Sequence, residues 1–275
     1  MSYYRNTDRF AGLLALAGFL LFTFAGHAEA QVEPLVIPVS QPGKPVKLNM
    51  HMISARMRVI AEDRDDVAVE VSGGKNGRSI VTPSGPKSIG AASYNLSASE
   101  ENNEVIVRTE WHNSAIDIVA RVPFNASLDL RVTNDSWIVV ENVRGAMELQ
   151  NVNGPIEVIG AASSVIAESV NGDIQVSFSD MGNVESGALN TVNGDLVLGL
   201  PDGASAALHL DSSRGDIVTD FEVEVQPSKP IVARNAKGNR TEVKVANVIV
   251  AHVNGGGPVI RFKTLNGDIQ INKVR

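Results

Sequence analysis

Apolar and polar residues alternate along most of the chain after residue 45. Val46-Lys-Leu-Asn-Met-His-Met52, Val67-Ala-Val-Glu-Val71, Val105-Ile-Val-Arg-Thr109 and Leu128-Asp-Leu-Arg-Val132 have the two-residue period or the β-branched runs of strands. No segment beyond residue 30 keeps a helical period for three turns. Between Ser72 and Asn103 the alternation gives way to Gly, Ser, Pro and Asn, which reads as a long hairpin connection. The class these patterns predict is all-β.

From Asn134 on, one phrase recurs. It appears as Val152-Asn-Gly154-Pro-Ile-Glu-Val158, Val170-Asn-Gly172-Asp-Ile-Gln-Val176, Val192-Asn-Gly194-Asp-Leu-Val-Leu198, Ser213-Arg-Gly215-Asp-Ile-Val-Thr219 and Leu265-Asn-Gly267-Asp-Ile-Gln-Ile271. A degenerate copy, Val143-Arg-Gly145-Ala-Met-Glu-Leu149, precedes them. Successive glycines stand 9, 18, 22, 21 and 52 residues apart, and the last interval leaves room for further turns that lack the motif. A period near 20 marks a stacked array. The positions five before the glycine, two after it and four after it are apolar in nearly every copy, as in a strand with one buried face. The predicted architecture is a repetitive β-solenoid or β-roll with rungs of about 20 residues, preceded by N-terminal β-strands.

The Asn-Gly-Asp step predicts the corner of each rung. The structural turn residues are Gly154, Gly172, Gly194, Gly215 and Gly267, with Asp173, Asp195, Asp216 and Asp268 after the last four. Glycine reaches positive φ freely, and Asn and Asp favour turns by bonding to nearby backbone. Asn-Gly is also a hairpin signal, but the repeated offset favours stacking over isolated hairpins. Three before the glycine stand Asn142, Asn151, Ser169, Thr191, Ser212 and Thr264. That column predicts a ladder of hydroxyls and amides bonded from rung to rung, rather than a row of ligand contacts.

With these columns and the closing phrase Val253-Asn-Gly-Gly-Gly-Pro-Val-Ile-Arg-Phe-Lys-Thr-Leu-Asn-Gly-Asp-Ile-Gln-Ile271, the chain resembles the bacterial "putative adhesin" domain family. The resemblance runs from about Val46 to Lys273 and is strongest from Val132. It implies an exported or membrane-tethered envelope protein with a β-solenoid or β-roll fold. It supplies no catalytic residues, and its motif, made of turn residues, specifies fold better than function.

The N-terminus adds an expectation about location. Met1 to Arg9 is polar with Arg5 and Arg9, Phe10 to Phe24 is apolar and uncharged, and Ala28-Glu-Ala30 is an A-x-A site. These are the parts of a signal peptide, residues 1–30, cleaved after Ala30. The apolar run is shorter than the roughly 20 residues of a spanning helix. With no cysteine in the chain, a lipidated N-terminus is excluded. The organisation expected is an extended lead-in at 31–44 and a single domain at 45–275, with clear repeats at 134–275. The location expected is the periplasm or the cell surface.

Charge and composition narrow the chemistry. The net charge is -7, which argues against nucleic acid, whose phosphates need a basic face. Without cysteine there is no disulfide, thiol catalysis or thiolate metal site. His51, His112, His209 and His252 are scattered singly, without metal-ligand spacing. Ser72-Gly-Gly-Lys75 and Ser84-Gly-Pro-Lys87 match Ser-x-x-Lys by letter but lack the helix that motif needs. Gly255-Gly-Gly257 has no following helix to hold an anion.

Stacked corners would bring the four aspartates into a row able to meet Ca²⁺, against the simpler role of each capping its own turn. Ca²⁺ rolls use denser repeats, so no metal and no cofactor are expected. Trp111 and Trp137 could stack on sugar rings, but the carboxylates are spread evenly instead of paired in a cleft. The chain therefore reads as a non-enzymatic binding or scaffold module whose partner is a protein or an envelope polysaccharide. A carbohydrate-binding or carbohydrate-active β-helix is the alternative. The last copy, Asn266 to Ile271, lies just before the C-terminus and is expected to be an open edge, blunted by Lys273 and Arg275 and able to self-associate.

Overall fold

The alternation seen in the sequence becomes strands almost without interruption. The computed structural model describes residues 34–73, 96–109, 115–226, 231–234, 241–244 and 248–274. The strands are Leu35–Pro38 (β1), Lys47–Glu62 (β2), Asp66–Gly73 (β3), Leu96–Glu101 (β4), Glu104–Thr109 (β5), Ile116–Pro123 (β6) and Ser127–Glu141 (β7). Next come Met147–Asn153 (β8), Ile156–Ala161 (β9), Val165–Asn171 (β10), Ile174–Phe178 (β11), Ser186–Asn190 (β12), Leu196–Pro201 (β13), Ala206–Ser212 (β14) and Ile217–Thr219 (β15). The last are Val223–Gln226 (β16), Ile231–Arg234 (β17), Thr241–Lys244 (β18), Ile249–Val253 (β19), Val259–Thr264 (β20) and Ile269–Val274 (β21). The protein is all-β: one large sheet that does not close, plus the antiparallel pair β17–β18.

Within the large sheet run two ladders of parallel strands. The first goes from β5 through the first half of β2, the first half of β7, β8, β10, β12 and β20 to β14. The second goes from β6 through the remaining halves of β2 and β7, then β9, β11, β13 and β21, to β15. The two strands flanking a corner therefore pair with other copies and not with each other, as stacking requires and a hairpin would not. We call each level of the two ladders a tier.

Register follows the apolar columns. Leu149, Ala167, Leu189, Phe262 and Leu210 lie abreast on one ladder, and Ile156, Ile174, Leu196, Ile269 and Ile217 on the other. The inward residues of both ladders merge into one continuous core. Each fully buried Leu, Ile, Val or Met there contributes about 1.5–3 kcal/mol.

Antiparallel strands cover most of the ladder ends. At one end β4 lies on β5, β3 on β6 and β1 on β3. At the other, β19 lies on β14 and β16 on β19. Among the described residues, β15 is the one parallel strand with no neighbour on its outer side.

Three expectations need correction. The stretch from Ser72 to Asn103 is not all connection: its last part is β4, which turns into β5 through Asn102 and Asn103, both at positive φ (54° and 64°). Side-chain amides tolerate that conformation, so the pair closes a tight turn. Among its described residues, the interval between Gly215 and Gly267 adds no motif-free parallel tier: β16, β17, β18 and β19 all pair antiparallel.

The third correction concerns the last copy. Asn266–Ile271 is not at the edge, because β20 lies between β12 and β14, and β21 between β13 and β15. The copy at 213–219, fourth in sequence, is last in space. Its apolar set is the weakest, with Thr219 where the others have Val158, Val176, Leu198 and Ile271, and an outermost tier has least to bury. Lys273 pairs with Asp202 (3.0 Å) instead of guarding an edge. Among the described residues no helix is long and apolar enough to cross a membrane. The proposed signal segment, the loop serines and lysines from Lys75 to Lys87, Trp111, His112 and Arg275 lie outside them.

Candidate functional site: the stacked corner and its outer groove

The small polar side chains of the corner are placed by the tier before them. The small-polar column donates to the glycine carbonyl of the preceding tier: Ser169 Oγ to Gly154 O (3.3 Å), Thr191 Oγ1 to Gly172 O (3.0 Å), Thr264 Oγ1 to Gly194 O (3.1 Å) and Ser212 Oγ to Gly267 O (3.0 Å). Asn151 receives the Ser136 hydroxyl at 2.6 Å and donates to Pro155 O at 3.2 Å. Asn151, Ser169, Thr191 and Thr264 are buried, so these bonds satisfy groups that would otherwise be stranded. The expected rung-to-rung ladder is present, except that Asn142 stands apart from it, exposed and at φ 60°.

Beside it runs a second ladder, of asparagine. Asn171 Nδ2 donates to Asn153 Oδ1 (2.9 Å), Asn193 to Asn171 (2.8 Å) and Asn266 to Asn193 (2.7 Å). Asn153 donates to Asn134 Oδ1 (3.3 Å) at one end, and Arg214 donates to Asn266 Oδ1 (3.2 Å) at the other. From sequence alone these asparagines read as turn formers. Their recurrence next to each glycine was the available signal for a ladder.

The aspartate row does form, in the order Asp173, Asp195, Asp268, Asp216. Each carboxylate accepts the backbone N–H of the next member: Asp195 N to Asp173 Oδ1 (2.9 Å), Asp268 N to Asp195 Oδ1 (2.8 Å) and Asp216 N to Asp268 Oδ1 (2.8 Å). The cap therefore serves the following tier and not the residue's own turn, because the next N–H lies one inter-strand step away, facing the carboxylate. Among the described residues no three His, Asp or Glu side chains gather in a way that could hold a metal ion.

The glycines also have a reason the sequence did not reveal. Gly154, Gly194 and Gly267 have φ of 150°, 155° and 159°, whereas Gly172 and Gly215 are not at positive φ. What all five share is proximity. A Cβ on any of them would overlap the carbonyl oxygen of the preceding tier, that of Gly154 for Gly172 and that of Gly172 for Gly194. Close backbone approach, more than turn conformation, fixes the column.

Outside the corner a stripe of apolar side chains faces solvent: Val152, Val170, Val192 and Leu265, each 38–44% exposed. Alongside it lies a shallow groove of about 510 Å³ lined by Glu168, Asn190, Val192, Ser213, Lys263 and Leu265. One acid, one base and one amide there sit beside two apolar walls.

The remaining candidates stay apart. His51 Nε2 lies 3.0 Å from Asp129 Oδ1. Partial burial pushes the Asp129 carboxyl up, but hydrogen bonds from Arg131 and His51 outweigh it and hold the group below its ordinary value. His252 lies near Gln226, and His209 faces outward on β14. Trp137 lies abreast of Arg56 on the second ladder.

No family model matches the chain, and no curated protein matches it. Among solved structures, a "putative cell adhesion protein" from Clostridium sporogenes ATCC 15579 aligns over 89% of this chain and 100% of its own, with 8% identity and a TM-score of 0.41. A "putative adhesin" from Bacteroides fragilis NCTC 9343 aligns over 89% of this chain and 98% of its own, with 11% identity and a TM-score of 0.42.

Proposed function

We propose that the chain is an exported, non-enzymatic β-solenoid of the cell envelope, with two strands per rung, that serves as an adhesin-like binding or scaffold module. One observation carries this reading. The corner residues that could have formed a reactive or metal-binding row are engaged in tier-to-tier hydrogen bonds, with the Asp195 carboxylate on the Asp268 N–H as the type case. That chemistry holds a scaffold together and leaves an outward apolar stripe and groove as the contact surface. The signal-like segment at 1–30 supports export.

The alternative, a carbohydrate-binding face, is favoured by one feature: the groove sets Glu168, Asn190 and Lys263 beside the apolar Val192 and Leu265, the mix of hydrogen-bonding and apolar contacts a sugar ring uses. Two experiments test the proposal. Intact mass of the protein from the envelope fraction should begin at Gln31, and a full-length mass from a membrane pellet would sink the export reading. Immobilised protein should retain a defined envelope protein or glycan, and Val192→Glu in the groove should abolish retention. Retention untouched by that change would remove the groove from the proposal.

A further inference from the structure

Each corner has groups that look back to the preceding tier and groups that look forward to the next. The backward set is the Ser/Thr hydroxyl, the Asn side-chain N–H, the bare glycine Cα and the Asp backbone N–H. The forward set is the glycine carbonyl, the Asn Oδ1, the Asp carboxylate and the apolar edges of the strand.

The tier of Ser212 to Thr219 keeps the whole backward set. Ser212 donates to Gly267 O, Arg214 donates to Asn266 Oδ1, Gly215 packs on the Gly267 carbonyl, and Asp216 N donates to Asp268 Oδ1. The forward set is altered at three places. Arg214 has N–H donors and no acceptor, so it ends the amide ladder where an asparagine would extend it. Ser213 stands where other tiers carry Val152, Val170, Val192 or Leu265. Thr219 is polar and exposed where Val158, Val176, Leu198 and Ile271 are buried.

The strand behind these changes is only three residues long and is the one parallel strand with a bare outer side among the described residues. Of the forward side-chain acceptors only the Asp216 carboxylate is kept, exposed and so obliged to lose its hydration to be used, while the Gly215 carbonyl already accepts the Ser212 hydroxyl of its own tier at 3.3 Å. Shortness and charge are the devices by which an edge refuses pairing. They fall on the copy that is last in space although another copy follows it in sequence.

We propose that Arg214 and Thr219 close the β15 end against a further strand of the repeat, specifically the Thr264–Val274 segment of a second copy of this chain, since β19 already covers β14 beside it. That segment is the fitting occupant because its backward set, the Thr264 hydroxyl and the Asn266 amide, already docks on Gly194 and Asn193 within its own chain. Against β15 the same amide meets a guanidinium.

The test uses a labelled peptide of residues 259–275, titrated by fluorescence anisotropy into the whole protein, processed as the cell processes it. The comparison set is wild type, Arg214→Lys, Arg214→Asn and Arg214→Asn with Thr219→Val. Wild type and Arg214→Lys should bind alike and weakly. Arg214→Asn should bind at least about tenfold tighter, roughly 1.4 kcal/mol, and the double variant tighter still. A peptide carrying Asn266→Ala should lose the gain. Both positions are exposed, so unchanged melting temperatures are expected; if the double variant melts early, the single Arg214→Asn comparison decides. Wild type binding as tightly as Arg214→Asn, or Arg214→Asn binding no better than Arg214→Lys, would overturn the proposal.

Discussion

Asn266 donates its side-chain N–H to Asn193 Oδ1 at 2.7 Å across a separation of 73 residues, a bond made elsewhere in the ladder between asparagines 18 and 22 residues apart. Asn193 sits in the middle and both donates and accepts. Asn193→Ala should therefore lower stability by about 1–2 kcal/mol for two exposed bonds. Asn193→Asp should lower it more, since a carboxylate oxygen would face Asn171 Oδ1. Urea unfolding of the two variants checks the order; an aspartate variant as stable as wild type would contradict the ladder.

The glycine column makes a sharper expectation. Gly172 is not at positive φ, yet its Cβ would overlap the Gly154 carbonyl. Gly172→Ala should cost about 3 kcal/mol or more, because backbone on both sides must shift. Gly203 has open space around it, so Gly203→Ala should stay within about 0.5 kcal/mol of wild type. Equal melting temperatures for the two variants would refute close approach as the cause.

Calcium should change little. Each aspartate of the row except the last already accepts a backbone N–H, so millimolar Ca²⁺ should leave the melting temperature where it was. Asp195→Ala should destabilise by about 1–2 kcal/mol with or without the ion, since the Asp268 N–H loses its acceptor. A saturable rise in melting temperature that vanishes in Asp195→Ala would instead reveal a bound ion.

Acid should loosen the lead-in. Glu100 accepts the Ser40 backbone N–H (2.9 Å), the Ser40 hydroxyl (2.8 Å) and the Asn103 N–H (2.8 Å), and these bonds, Ser40 N–H foremost, hold its carboxyl below the ordinary 4.5. With the folded pKa depressed, its contribution is complete above 4.5 and fades as pH falls through the folded value. The Ser40 and Asn103 amide resonances should titrate together with a midpoint below 4.5, and Glu100→Gln should flatten both curves. A midpoint at or above 4.5 would contradict the contacts.

Much of this was legible in the sequence, for identifiable reasons. Strand alternation fixes which face is buried, and the constant offset from each glycine aligns Leu149 with Leu189 and Ile156 with Leu196 without knowledge of coordinates. The order of the tiers was not legible. Stacking two equivalent copies satisfies the same bonds whichever comes first in the chain, so only small departures such as Arg214 and Thr219 distinguish the outermost one. The forward reach of the aspartates was hidden for a related reason: a turn residue and an inter-strand cap use the same letter. The β4–β5 turn was hidden because asparagine pairs at positive φ look like loop composition.

Because β20 and β21 sit between older strands, the molecule cannot be assembled in the order in which it is made. A chain emerging N-terminus first keeps a vacancy between β13 and β15 until residues 269–274 arrive, and β15 has no strand partner among the described residues before then. The segment 259–274 acts as a keystone. A chain truncated within residues 259–274 would lack an interior course, so such products should be recognisable to proteases as unfinished.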